Sequence, residues 1–141
     1  MPSANVDAVR CVIGLYGRLN PDPSKRRGSP ELEELLRFFG DDVEFVQAES
    51  LPGAQAFHGR RRMERSWADW LGSWAGFRTE IEEIHERGDQ VLVLSRDHFL
   101  GRDGVEIENR GGSVFTFRDG LIVRFEAFAD QDSARQTFGA G

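Results

Sequence analysis

Ser113 to Phe128 read SVFTFRDGLIVRFEAF, two alternating apolar runs hinged on Asp119-Gly120. An Asp-Gly pair between such runs is strong hairpin chemistry. Two loop lengths compete. With a plain two-residue turn, Ser113 shares a face with Glu126, and Phe115 with Arg124. A three-residue loop, Arg118-Asp119-Gly120, shifts the pairing by one and puts Phe115, Phe117, Leu121, Val123, Phe125 and Ala127 on one face. Burial of that apolar set favours the second register, which turns Ser113 inward and Arg124 and Glu126 outward.

Working outward, the hairpin ends a run of strands at Phe77–Glu86, Gln90–Leu100, Val105–Phe117 and Leu121–Ala129. Gly88-Asp89 and Gly101-Arg102-Asp103-Gly104 supply the other turns. Gly111-Gly112 marks a bend or bulge that curves the sheet. Asp130 can cap a short last helix, with Ala134 and Phe138 folding back. Upstream, a helix from Arg60 to Trp74 carries Met63, Trp67, Trp70 and Trp74 on one face.

Nearer the start, helical spacing of Val6, Val9, Val12, Ile13 and Tyr16 predicts a helix over Asn5–Leu19, followed by a loop through Gly28. Ser29 then caps a second helix with Pro30 at its first position and Leu32, Leu35, Leu36 and Phe39 on its buried face, stopped by Gly40. Val43–Gln47 alternates as a short strand, and Glu49–Gly59 reads as a loop.

At 141 residues, one domain spanning 1–141 is expected, large enough for a core without disulfides. The net charge of −6 argues against a nucleic-acid or anionic-membrane partner, because both need a basic field. Lys25-Arg26-Arg27 and Arg60-Arg61-Arg62 read as solvated charge. Cys11 is the only cysteine and reads as a buried thiol within an apolar helix. No signal-peptide pattern opens the chain and no apolar run reaches the ~20 residues of a membrane span, which makes the cytoplasm the default expectation. No metal-ligand spacing and no Gly-rich phosphate loop is present, so neither metal nor cofactor is expected.

Three helical segments around a short strand, followed by a four-strand meander, resemble the SnoaL-like branch of the nuclear transport factor 2-like superfamily. The carrying segments are Phe39-Gly40-Asp41-Asp42-Val43-Glu44-Phe45, Phe57-His58-Gly59-Arg60, Trp67-Ala68-Asp69-Trp70 and Phe115 through Val123. The resemblance implies an α+β fold in which N-terminal helices close a cone-shaped, curved, mostly antiparallel sheet (cystatin-like), often as a dimer. Its members include isomerases, epoxide hydrolases, polyketide cyclases and proteins without catalytic roles, so fold alone does not fix function.

Site positions transfer poorly. The base aspartate of the steroid isomerases matches Gln47, their meander acid matches Ser113, and their helix tyrosine matches Leu15. Tyr16 lies one residue on, turned about 100° around the helix. The Arg-x-Asp of the epoxide hydrolases matches Arg96-Asp97-His98, and their last-strand acid matches Ala127. SnoaL-type deprotonation of a carbon acid is the catalytic reading least contradicted.

Arg96 and His98 share one strand face, Ser95 and Asp97 the other. Val91 and Val93 match Leu92 and Leu94 in apolarity, so alternation does not choose the inner face. The resemblance favours Arg96 inward, with His98 as general base and Arg96 holding an oxyanion. Trp67, Trp70, Phe45, Phe115 and Phe125 would wall a cavity with Tyr16, although each ring also serves as ordinary core. Gln47 and Ser113 are candidate polar anchors, with a water-satisfied polar patch as the alternative. Glu49, in a loop bordering the expected mouth, is a candidate acid or base for which surface solvation is the favoured reading. The resulting expectation is an aromatic pocket for a small hydrophobic organic molecule, with isomerisation, cyclisation or dehydration as the candidate chemistry. The alternative is a non-catalytic binding or dimerisation module, a homodimer forming through the charged outer sheet face of Glu106, Glu108, Arg110, Arg124 and Glu126.

Overall fold

The computed structural model describes residues 3–20, 22–47 and 55–140. In chain order the elements are α1 (Ala4–Tyr16), α2 (Pro23–Arg26), α3 (Pro30–Leu36), β1 (Phe39–Gln47), β2 (Ala56–His58) and α4 (Arg60–Gly72). Then follow β3 (Gly76–Arg87), β4 (Gln90–Leu100), β5 (Glu106–Arg118), β6 (Leu121–Phe128) and α5 (Gln131–Ala140). The strands form one six-stranded sheet in the order β2-β1-β6-β5-β4-β3. Every pairing is antiparallel except β1 with β6, which is parallel. The sheet is curved and not closed, giving the expected α+β architecture.

Local chemistry explains the starts of three helices. The Ser3 hydroxyl accepts from the Val6 amide and starts α1, and Ser29 accepts from Leu32 ahead of Pro30 to start α3. Asp130 accepts from the Ser133 amide at the start of α5. Other boundaries differ from the sequence reading. The short helix α2 and the short strand β2 occupy stretches expected as loop, α4 ends at Gly72, and Gly40 lies inside β1 rather than stopping α3. Cys11 is exposed, not buried. The stripe Val9, Val12 and Leu15 faces the core, and Cys11 sits about 100° off that stripe.

The last hairpin reaches the expected inner face by another route. Asp119 and Gly120 both have positive φ (54° and 82°), and Arg118 pairs with Leu121 across a two-residue turn. Pairing then skips from Phe117–Ile122 to Thr116–Arg124, so Val123 is an extra, bulged residue. Before the bulge Ile122 is buried and Leu121 exposed, correcting the expected inward Leu121. After it Phe125 lies opposite Phe115, and Ala127 opposite Ser113, as burial requires. Gly111-Gly112 is not a bulge, because the β4–β5 register runs through it unbroken. A Cβ on Gly112 would meet the Ala134 Cβ at 2.7 Å, and one on Gly111 the Phe128 carbonyl oxygen at 2.6 Å, so both glycines permit close approach.

Two apolar layers sandwich the sheet. On the inner face α1, α3 and α4 pack around Phe39, Val43, Met63, Trp67, Val91, Val93 and Phe115. On the outer face α5 brings Ala134 and Phe138 against Leu92, Leu94, Val114 and Phe128. Strand β4 is therefore apolar on both sides at its start. That is why its alternation could not be read.

Candidate functional site

A cavity of about 430 Å³ lies between the inner sheet face and helices α1 and α4, within the size range of small-molecule sites. Tyr16, Trp67 and Trp70 line it from the helices, and Phe45, Gln47, Ser113, Phe115 and Phe125 from the sheet. Trp67 is almost fully buried and takes edge-to-face contacts from Tyr16 and Phe39 at 5.3 and 5.4 Å between ring centroids. Phe115 and Phe125 stack at 4.6 Å. Trp70, more exposed, forms a second aromatic group with Trp74 and Phe99. The helix stripe thus serves core at one end and rim at the other.

Arg96 and His98 are not on the cavity wall, which corrects their expected inward orientation. On β4 the residues lining it are Val93, Ser95, Asp97 and Phe99. Arg96 instead reaches Glu82 at 3.4 Å and Glu108 at 3.0 Å, and His98 Nε2 lies 3.6 Å from Glu80. The cause is the second layer: Leu92 and Leu94 are claimed by α5, and the pleat carries Arg96 and His98 to the same side. A signal for this was available in the ladder. Arg96 and His98 lie opposite charged Glu80, Arg78, Arg110 and Glu108, whereas Asp97 lies opposite neutral Thr79 and Asn109. Glu49 lies outside the described residues.

Asp97 is the carboxylate that the orientation brings into the cavity. Burial raises its pKa above the ordinary carboxylate value. Hydrogen bonds from Thr79 and Ser95, and the nearby His98, oppose that rise less strongly. Thr79 Oγ1 donates to Asp97 Oδ1 at 3.1 Å. Across the cavity the Tyr16 hydroxyl is held protonated far above the usual phenol range, first by burial, with Arg26 opposing and the charge of Asp97 adding. Asn109, opposite Asp97 on β5, donates from Nδ2 to the Ala129 carbonyl at 2.9 Å. A carboxyl with a raised pKa and a neutral phenol in one aromatic cavity can take a proton from carbon and donate a hydrogen bond to the oxygen that gains charge.

A model of the SnoaL-like domain matches residues 27–125. The chain belongs to the SnoaL-like family. No curated protein sequence matches it. Among solved structures, a nuclear transport factor 2-like protein of unknown function from Burkholderia pseudomallei is 19% identical, with a TM-score of 0.76 over 95% of this chain and 96% of that one. TerC, co-crystallised with polyporic acid, is 20% identical, with a TM-score of 0.74 over 95% of this chain and 97% of its own. A candidate SnoaL-like polyketide cyclase from Jannaschia sp. CCS1 is 16% identical, with a TM-score of 0.71 over 98% and 93%. At these identities the likeness is one of fold.

Within the SnoaL-like frame, the row Gln47, Ala127 and Ser113 crosses β1, β6 and β5 with neutral side chains only. The cavity's acid sits four residues along β4 from that row, since Val93 pairs with Ser113. No helix among the described residues is long and apolar enough to cross a membrane.

Proposed function

We propose that this SnoaL-like protein binds a small, flat, hydrophobic organic molecule in the aromatic cavity and transfers a proton on it, with Asp97 as the acid–base group. The observation that carries the reading is the Asp97 carboxyl, turned into the cavity with its pKa raised by burial and hydrogen-bonded to Thr79. A carboxylate made more basic by desolvation suits abstraction of a proton next to a carbonyl, and Tyr16 supplies a neutral donor for the developing enolate oxygen. Isomerisation, cyclisation and dehydration all begin with such a step. Trp67, Trp70, Phe45, Phe115 and Phe125 hold the ring system, and Gln47 and Ser113 orient it. Arg96 and His98 take no part in this scheme.

The test is solvent-deuterium exchange at the α-carbon of β-tetralone, followed by NMR. Wild-type protein should accelerate exchange over buffer and Asp97→Asn should return it to the buffer rate with β-tetralone still bound. Acceleration that survives in Asp97→Asn would sink the assignment. The rival reading is binding without turnover, favoured by the neutral Gln47, Ala127 and Ser113 at the positions where relatives of this fold carry acids. Bound ketone with no acceleration in the wild type selects it. A homodimer through the outer sheet face belongs to the same proposal. Much of that face is engaged within the chain by the Glu82–Arg96–Arg110 pairs and by α5, and a monomeric mass at micromolar concentration would remove the dimer.

A further inference from the structure

The cavity has two polar ends. At one end Asp97 stands between Thr79 and Asn109 in the ladder. Four residues along the same strand, Val93 pairs with Ser113, which lies opposite Ala127 and then Gln47. Four residues of strand place the two rows about 13 Å apart along the sheet. The row between them is Ser95 opposite Gly111, so β5 puts no side chain into the gap. Rings flank both ends: Phe45, Phe115 and Phe125 beside Gln47, and Phe77, Phe99 and Trp70 beside Asp97.

The ends differ in hydrogen-bond state. At the acid end Thr79 is committed to Asp97 and the Asn109 amide to the Ala129 carbonyl, while the buried Trp74 Nε1, beside Phe99, has no partner among the described residues. At the far end the Gln47 amide and the Ser113 hydroxyl make no side-chain hydrogen bond among the described residues, although both border an apolar wall. Both side chains are half-buried on the cavity wall, where water or a ligand supplies their partner. Both groups donate and accept, and no Lys, Arg or His among the described residues lines the cavity. The matching group is therefore neutral, a hydroxyl or carbonyl rather than a carboxylate or phosphate.

From this we infer that the occupant is an elongated, uncharged aromatic or polycyclic molecule with an oxygen at each end, about 10 Å apart, the reacting end at Asp97 and the other anchored by Gln47 and Ser113. The inference rests on the reading of the cavity as a ligand site. It specifies length, neutrality and direction of binding.

Quenching of tryptophan fluorescence by para,para′-biphenol and by para-phenylphenol tests it. The two differ only in the second hydroxyl. Wild type should bind the biphenol about tenfold more tightly, the worth of one or two hydrogen bonds in a desolvated site. Gln47→Leu with Ser113→Ala should erase that advantage and leave para-phenylphenol affinity unchanged. Ser113→Ala alone, the milder change, should remove part of it if the double variant does not fold. Equal binding of the two probes by wild type, or an advantage that survives the substitutions, overturns the two-ended site while the cavity reading stands. No quenching by either probe overturns both.

Discussion

The two faces of β4 are built from nearly the same kinds of residue and do opposite things. Outward point Leu92, Leu94, Arg96 and His98; inward point Val93, Ser95, Asp97 and Phe99. On the outside, charge meets charge: Arg96 and Arg110 share Glu82, and Glu108 takes the other side of Arg96. Such pairs sit in water, contribute little, and permit almost any chemistry to be left undone. On the inside a single carboxyl faces rings and neutral hydrogen-bond partners, an arrangement that opposes its ionisation. The lesson is that a titratable group is informative for what surrounds it, not for its type. Histidine is the commoner general base, yet Asp97 has the environment.

The largest expected effect separates the faces directly. Asp97→Asn should lower proton-transfer turnover by about a hundredfold or more, and His98→Ala should leave it within about twofold, both read by α-carbon exchange. A hundredfold loss in His98→Ala would reverse the comparison. The rate should also rise with pH through the raised pKa of Asp97, later than for an ordinary carboxylate. Stability moves the other way. With the folded pKa above the unfolded one, ionisation of Asp97 weakens the fold as pH rises through the folded pKa, and has no effect below about pH 4, where both states are protonated. Asp97→Asn should therefore raise the melting temperature at neutral pH, an advantage that disappears in acid.

How much of this was legible follows from the same strand. The hairpin was readable because Asp119-Gly120 and the flanking apolar runs are local signals, and the inner residues Phe115, Phe125 and Ala127 followed from burial. The loop length was misread because a bulge at Val123 restores the same faces that a longer loop would give, and burial sees only the faces. The rings of the cavity could be found from the tryptophan spacing on α4. The acid was harder to find: its deciding contact is between β4 and α5, some forty residues apart, and Ala134 carries no pattern of its own, which leaves the charge ladder across β3 to β5 as its signal. Gln47 and Ser113 entered as matches to family positions, and their shared row emerges only once β6 is set between β1 and β5.

The next effect probes whether the inner rings are wall or core. Trp67 is 4% exposed and touches Tyr16, Phe39, Phe45 and Phe125. Trp67→Ala should cost about 3–5 kcal/mol in urea unfolding, as for other large-to-small core changes. Trp70→Ala, at the rim, should cost far less and act on ligand affinity instead. Equal destabilisation would erase the distinction between the two ends of the helix. On the outer face Gly112→Val should cost about 1–3 kcal/mol by forcing α5 off the sheet, since even a Cβ there meets Ala134 at 2.7 Å. Hydrogen exchange confined to α5 would locate that strain.

The smallest effect is the sharpest check on the outer face. Arg96 sits between Glu82 and Glu108 with 42% of its side chain exposed. Its removal leaves Glu82 still held by Arg110 at 3.0 Å and by Gln131 at 2.9 Å, and leaves Glu108, whose side chain is 53% exposed, to water. Arg96→Ala should change stability by less than about 1 kcal/mol and leave α-carbon exchange untouched. The hydrogen bonds on Glu82 hold its pKa below the ordinary value, so this network strengthens the fold above the unfolded glutamate range and fades as pH falls through the lowered pKa. The modest effect of Arg96→Ala should accordingly vanish in acid. A loss of turnover in Arg96→Ala at neutral pH, with stability unchanged, would mean that the guanidinium reaches the ligand after all.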